Sequence, residues 1–294
     1  MLSSGTLVSE SDRLSQMFTL PILPVNRSHN MNNRHSRQGF LGPESESKLH
    51  AATTAVIGLC GGGSHVSLQL AHIGVCNILL VDPDHADDTN INRMVGLTYQ
   101  DAMDEELKTR VVERNLRLVN PDANIVAIAK PWQEVPDALK ACTAIFGCVD
   151  SIPAREQLEC FARRYSIPYI DIGMDVHGED GRYFITGQVI TSLPHRPCLR
   201  CMGFITDEKL AAEQARYGAA GGRPQVVWPN GVLASVAVGV FMALNTPWND
   251  KLEPALYIEY DGNRNIVTPS NRLQHLEGVL CEHFTGTEGM GNAF

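Results

Sequence analysis

The feature that most restricts the fold is a junction. The run TTAVIG (residues 53–58) is β-branched and apolar and ends in glycine. It passes through GLCGGGSH (58–65) into SHVSLQLAHIGV, where Val66, Leu68, Leu70, Ala71 and Ile73 recur at helical spacing up to Gly74. A buried strand that turns on glycines into a helix is the opening unit of an open α/β sheet. There the turn brings backbone N–H groups and a helix N-terminus to a phosphate. The dinucleotide pattern G-x-G-x-x-G needs glycine at 58, 60 and 63; Gly58 and Gly63 are present, and the middle position is Cys60. Alone the turn is a weak signal, equally open to a tight strand-to-helix connection with no ligand.

The alternation continues. NILLVDPD (77–84) predicts a second strand with acids at its carboxyl end, and DEELKTRVVERNLRLVNP (104–121) an amphipathic helix stopped at Asn120-Pro121. ANIVAIA predicts a third strand, TAIFGCVD (143–150) a fourth, IPAREQLECFARRY a helix and IPYIDIGM (167–174) a fifth strand. Such a series implies right-handed crossovers and an α/β fold: a Rossmann-like, mostly parallel sheet with helices on both faces. Ligands of such sheets sit beyond the carboxyl ends of the strands, which here carry Gly58 to Gly63, Asp82, Asp84 and Asp150. After residue 180 the pattern changes. GRYFITGQVI predicts an antiparallel strand, PCLRCMGF a tight cysteine loop and GAAGGRPQ a flexible segment. GVLASVAVGVFMAL (231–244), apolar nearly all round, predicts a buried helix, and ALYIEYDGNRNIVTP a hairpin about Asp261-Gly262. The expectation is one domain with a C-terminal antiparallel extension.

With 44% hydrophobic residues in 294, the chain can fill one large core. A net charge of −9 argues against a large nucleic-acid footprint. No apolar run reaches the roughly 18 residues of a membrane span. The first thirty residues lack the basic start and apolar run of a signal peptide, and residues 1–30 are expected to form a flexible extension. Most of the eight cysteines sit in apolar segments, which predicts reduced thiols and a cytoplasmic protein. Cys198 and Cys201 differ, since C-x-x-C is half of a tetrahedral metal site.

Asp82 follows the glycine turn at the interval of a ribose-binding carboxylate, which suits NAD and ATP alike. Then come Asn90 and Arg93, Lys108, and Asp150 with Arg155, at successive strand ends and helix starts. Hydride transfer needs neither so many cations nor a spare carboxylate beside a phosphate. Nucleotidyl transfer needs both: Arg and Lys neutralise charge developing on a triphosphate, and a carboxylate holds magnesium.

Taken in order, RHSRQ, VIGLCGGGSH, VDPD…TNINR, KTRVVERNLRLVNP, CVDSIPAR, PCLRCM and GVLASVAVGVFMAL span residues 34 to 283. In this series the chain resembles the ThiF/MoeB/HesA family, the adenylation core of the ubiquitin-activating enzymes. The resemblance implies a single adenylation domain over residues 31–294. It implies ATP held at Gly58, Gly61 and Gly63, with Asp82 on the ribose hydroxyls, Asn90, Arg93 and Lys108 on the phosphates, and Asp150 on Mg2+. It also implies a homodimer in which Arg37 reaches into the partner's site. Arg155 is expected to anchor its helix and Asp84 to cap a turn. The implied acceptor is the C-terminal carboxylate of a small ubiquitin-like or sulfur-carrier protein ending in glycine. Its acyl-AMP would then be open to the thiol or amine of a downstream partner. The alternatives are adenylation of a tRNA-borne or small-molecule carboxylate, an NAD(P)-dependent oxidoreductase, and a binding module with a dead site.

Three features depart from the family pattern. Cys60 puts a Cβ where backbone should approach phosphate, although the glycines after it keep the turn free, so ATP binding is expected to survive. Its place at a helix N-terminus is compatible with a lowered thiol pKa, or with a small residue that merely fits. The family's second C-x-x-C is replaced by VLCEHF, so Cys281 and His283 are expected to complete a zinc site with Cys198 and Cys201. Finally, residues 202–280 contain no cysteine, where relatives that form a thioester often place the acceptor. Either the reaction stops at the acyl-adenylate or a cysteine elsewhere serves.

Overall fold

The computed structural model describes residues 34–215, 224–249 and 252–286. The expected extension over residues 1–30, and residues 218–223 of the glycine-rich segment, lie outside the described residues. An eight-stranded sheet runs in the order β3-β2-β1-β4-β5-β6-β7-β8. Strands β1 (Thr53–Ile57), β2 (Asn77–Val81), β3 (Asn124–Ile128), β4 (Ala144–Gly147) and β5 (Tyr169–Glu179) pair in parallel. Strands β6 (Arg182–Ser192), β7 (Tyr257–Asp261) and β8 (Ile266–Pro269) add on antiparallel. The predicted fold class is the observed one.

The central strands are short and almost wholly buried, because helices cover both faces. On one face, α1 (Gly61–His72), α2 (Lys108–Val119) and α4 (Val227–Asn245) pack through Leu70, Val111, Leu116, Leu233 and Phe241. On the other, α3 (Ile152–Arg164) packs through Leu158 and Ala162 beside Leu199, Met202 and Phe204 of the cysteine loop. By length and apolar composition α4 could cross a membrane, a stretch longer than the sequence reading allowed for. Here it is a core helix: Leu233, Ala234, Ala237, Val238 and Phe241 are buried between α1 and the sheet.

The β5–β6 hairpin is longer than expected. Eleven residue pairs run from Tyr169↔Ser192 to Glu179↔Arg182. They close on Asp180-Gly181, both at positive φ, as a two-residue hairpin turn demands. That Asp-Gly pair was the available sequence signal for the hairpin's full length. The hairpin about Asp261-Gly262 joins β7 to β8 as predicted.

From β1 the chain moves outward to β2 and β3, then returns to lay β4 on the other side of β1. The carboxyl ends of β1 and β4 therefore flank a topological switch point, where the helix N-termini diverge and leave a crevice.

Candidate active site

A cavity of about 1020 Å³ opens at that switch point. This is the upper end of the usual size for a small-molecule site, about 300–1,000 Å³. Cys60, Gly61 and Gly62 form its floor at the start of α1, Arg93 and Lys108 enter from the segments after β2, and Asp150 comes from the end of β4. The sequence separates these groups by up to 90 residues; the crossovers bring them together.

Gly63 lies against the turn itself, packed on the Gly58 carbonyl oxygen, so α1 starts in direct contact with the strand end. The first turn of α1 thus points unsatisfied N–H groups and the positive end of its dipole into the cavity. Asn230 of α4 packs on Gly61 and donates from Nδ2 to the Val226 carbonyl at 2.9 Å. It is a cavity residue that sequence reasoning missed.

Arg93 is half-buried. Its Nη1 donates to the Thr89 carbonyl and to Asn92 Oδ1 at 3.1 Å, while its Nε is buried with no hydrogen-bond partner. A buried guanidinium N–H without an acceptor costs free energy unless a ligand oxygen supplies one. Lys108, only 8% exposed, pairs through Nζ with Asp84 Oδ2 at 2.8 Å. Burial opposes its charge, but the carboxylates of Asp82 and Asp84 outweigh burial and hold the ammonium above its ordinary range. Asp150 is exposed at the cavity wall.

Of the other expected ligands, Asp82, Asn90 and Arg37 do not line the cavity. Asp82 is buried, and both of its oxygens already accept backbone N–H groups, from Leu59 at 2.6 Å and from Asp84 at 2.8 Å. Its carboxylate clasps the ends of β1 and β2 and does not line the cavity. Burial pushes its pKa up, with Lys108 and the two N–H groups pulling the other way. Asp84, expected to cap a turn, is instead the outward carboxylate that pairs with Lys108. Asn90 is buried in its own turn, accepting from the Asp87 N–H at 3.4 Å and donating to Thr89 Oγ1 at 3.3 Å. Arg155 does anchor its helix: Nη1 donates to Asp171 Oδ2 and to the Ile172 carbonyl, within a fully buried group that also holds Tyr169. Arg37 is exposed in the short helix Ser36–Leu41 and does not line the cavity of its own chain. For Cys60 the compatible lowering of pKa is corrected. Burial raises it, and the opposing pull of Arg93 and Lys108 is smaller.

A second cluster lies at the cysteine loop. One donor atom each from Cys198, Cys201, Cys281 and His283 falls within 4.8 Å of the others. The two sulfurs are 3.5 Å apart, and each is 3.4 Å from His283 Nδ1. Three sulfurs and one imidazole nitrogen at such spacings are consistent with a tetrahedral zinc ion. Glu159 of α3 supports the loop, accepting from the Leu199 N–H at 2.9 Å and from Ser192 Oγ.

A doubly wound sheet with a helix N-terminus, two cations and an open carboxylate at its switch point defines a nucleotide-binding α/β domain built to handle phosphates. The chain belongs to the ThiF family, whose sequence pattern matches residues 33–270. Among its relatives is the sulfur carrier protein ThiS adenylyltransferase of Escherichia coli K12, 26% identical over 58% of this chain and 66% of that one. Another is the tRNA threonylcarbamoyladenosine dehydratase of Haemophilus influenzae, 29% identical over 49% of this chain and 57% of that one. The match thus spans less than two thirds of either relative. In fold, the chain is similar to E. coli MccB solved with AMPCPP and MccA, with a TM-score of 0.66, 21% identity, and coverage of 90% of this chain and 80% of that one.

Proposed function

We propose that the protein is an ATP-dependent adenylyltransferase that activates the C-terminal carboxylate of a small ubiquitin-like or sulfur-carrier protein. The observation that carries this reading is the convergence of Arg93, Lys108 and Asp150 on the N-terminus of α1, with the Arg93 Nε buried and lacking an acceptor. A triphosphate supplies acceptors to that N–H, to the Lys108 ammonium and to the first-turn N–H groups together.

The acceptor's carboxylate oxygen attacks the α-phosphorus of ATP. The bond from that phosphorus to the β-phosphate oxygen breaks, and pyrophosphate leaves with the electron pair. No general base is needed, because a carboxylate is already ionised at neutral pH. Arg93 and Lys108 offset the charge that develops on the phosphates. Asp150, at the cavity wall, would hold Mg2+, which when bound would neutralise phosphate charge. Asp82 fixes the turn on which the nucleotide lies, and Asp84 holds the Lys108 ammonium at the cavity edge.

The acceptor is read as a polypeptide and not a tRNA, because a chain of net charge −9 disfavours a phosphate backbone. We also propose a cytoplasmic homodimer with Arg37 acting in the partner's site, and a structural zinc at Cys198, Cys201, Cys281 and His283. ATP–pyrophosphate exchange tests the chemistry. Wild type should exchange label only with an acceptor carboxylate present, and Asp150→Ala should lose at least about a hundredfold, the scale of one transition-state electrostatic contact. Near-normal exchange by Asp150→Ala at saturating magnesium would sink the assignment.

A further inference from the structure

Among the described residues two lysines line the cavity, and they stand in opposite surroundings. Lys108 is held by carboxylates, pairing with Asp84 at 2.8 Å, which keeps it a cation beside the phosphates. Lys209 lies in the first turn of the helix Asp207–Ala215, and its Nζ donates to a neutral group, the Phe204 carbonyl, at 2.7 Å. The same nitrogen sits 4.8 Å from the centroid of the Phe204 ring. The neighbouring carboxylate of Asp207 is taken by Arg200 at 2.9 Å. Partial burial and the Arg272 guanidinium, itself fixed on the Gly203 carbonyl at 2.6 Å, hold the Lys209 ammonium below its ordinary range. Desolvation beside a second cation is the arrangement that makes a lysine a nucleophile.

Two contacts fix Lys209 on the Asp150 side of the cavity. Ile152, two residues after Asp150, donates its N–H at 2.8 Å to Glu213 Oε2, one helical turn beyond Lys209. The Phe204 ring that carries Lys209 also carries Arg155, whose Cζ is 5.9 Å from its centroid. Asp150, Ile152, Arg155, Phe204 and Lys209 thus form one wall of the cavity. The cavity also holds the thiols of Cys60 and Cys148, but burial pushes both up, away from the reactive thiolate. Residues 202–280 contain no cysteine, so an acyl group at this wall meets an amine.

We propose that Lys209 is a self-modification site, whose amine takes the acyl group from the acyl-AMP formed in the cavity. The proposal rests on the adenylation reading. The amine nitrogen attacks the carbonyl carbon of the mixed anhydride. A C–N bond forms, the bond from that carbon to the phosphate oxygen breaks, and AMP leaves with the electron pair. The proton released from nitrogen passes to solvent. The product is an amide between Lys209 and the acceptor's C-terminal residue, so the enzyme becomes conjugated to its own substrate. An amide is no longer an activated acyl group, and a chain modified in this way passes the acyl group no further.

The test supplies the intermediate ready-made and so does not depend on adenylation. Synthetic N-acetylglycyl-AMP is added to the full chain with and without excess ATP, and acylation is read site by site by mass spectrometry. ATP binding is measured by calorimetry on the same protein. Lys209 should be acylated at least about tenfold faster than Lys108 and than Lys140, which lies outside the cavity, an advantage of proximity. Excess ATP should slow Lys209 to the rate of Lys140. Lys209→Arg, which keeps the charge without the nucleophile, should leave no lysine labelled at the fast rate. Equal rates at the three lysines would overturn the proposal. So would label on Cys60 or Cys148 in place of Lys209, a fast site that persists in Lys209→Arg, or labelling that ATP fails to slow in protein that binds ATP. Selective labelling of Lys209 in protein that binds no ATP would instead overturn the adenylation reading and leave the reactivity of Lys209 standing.

Discussion

Two neighbouring glycines at the start of α1 should respond to the same substitution with opposite signs. At Gly63 an added Cβ would lie 1.8 Å from the Gly58 carbonyl oxygen, where real contacts stay beyond 3.0 Å. The obstacle is backbone, so helix and strand end must part by more than 1 Å across a packed core. Overpacking of this kind costs about 3 kcal/mol, the upper end of its usual range. For a domain of this size that lowers Tm by roughly 6–12 °C. At Gly62 the added Cβ would meet Ile172 at 3.6 Å, Cys148 Sγ at 3.8 Å and Asn230 at 3.9 Å, all ordinary contacts. There alanine gains helix propensity worth up to about 1 kcal/mol, raising Tm by roughly 2–4 °C. Yet Gly62 lines the cavity and Gly63 does not. Gly62→Ala should therefore be at least as stable as wild type but bind ATP more weakly, because the methyl projects where phosphate should approach. Thermal unfolding without nucleotide, followed by calorimetric titration with ATP, measures both effects. The reasoning fails if Gly63→Ala melts with wild type, or if Gly62→Ala is destabilised as much as Gly63→Ala.

Three further expectations concern other parts of the molecule. Burial raises the Glu159 carboxyl from 4.5 to about 7, against the pull of Ser192, Leu199 and Arg163. Stability contributed by its protonated form is therefore fully present below pH 4.5 and lost as the pH rises through 7. Urea unfolding of Glu159→Gln at pH 5 and pH 8 should show a gain of about 3 kcal/mol over wild type on going to the higher pH; equal pH dependence would refute it. Metal analysis should find about one zinc per chain, and Cys198→Ser should lose the zinc and melt earlier while keeping most of its turnover; well-folded, active wild type without zinc would end that claim. Mixing Arg37→Ala with Asp150→Ala subunits should restore part of the exchange activity through hybrid dimers, whereas a mixture as inactive as its parents would remove the trans role for Arg37.

Much of the fold was legible because its signals are local. The run 53–58, its glycines and the helix after them need only their own propensities to declare a strand, a turn and a helix. Hydrophobic periodicity located the parallel strands and α2 in the same way. The grouping of Arg93, Lys108 and Asp150 was legible once the strands were known, since each follows the carboxyl end of a parallel strand. That Asp82 is buried against backbone N–H groups while Asp84 pairs with Lys108 was not. The two carboxylates are two residues apart, and what separates them is the Leu59 N–H, brought in from a strand 23 residues away. Nor could the sequence reveal that Asn90 is occupied by its own turn, or that burial outweighs the cations around Cys60.

By itself, then, the sequence determined the alternation that makes the sheet doubly wound, the phosphate-facing turn, and the residue types able to hold zinc and magnesium. These depend on propensity and spacing along the chain. Tertiary structure alone decided which carboxylate is buried against backbone and which pairs with Lys108, and how Cys281 and His283 meet a cysteine pair some eighty residues earlier. Those outcomes depend on strand register, burial and backbone partners contributed by distant segments, and no local pattern encodes a neighbour that only folding supplies.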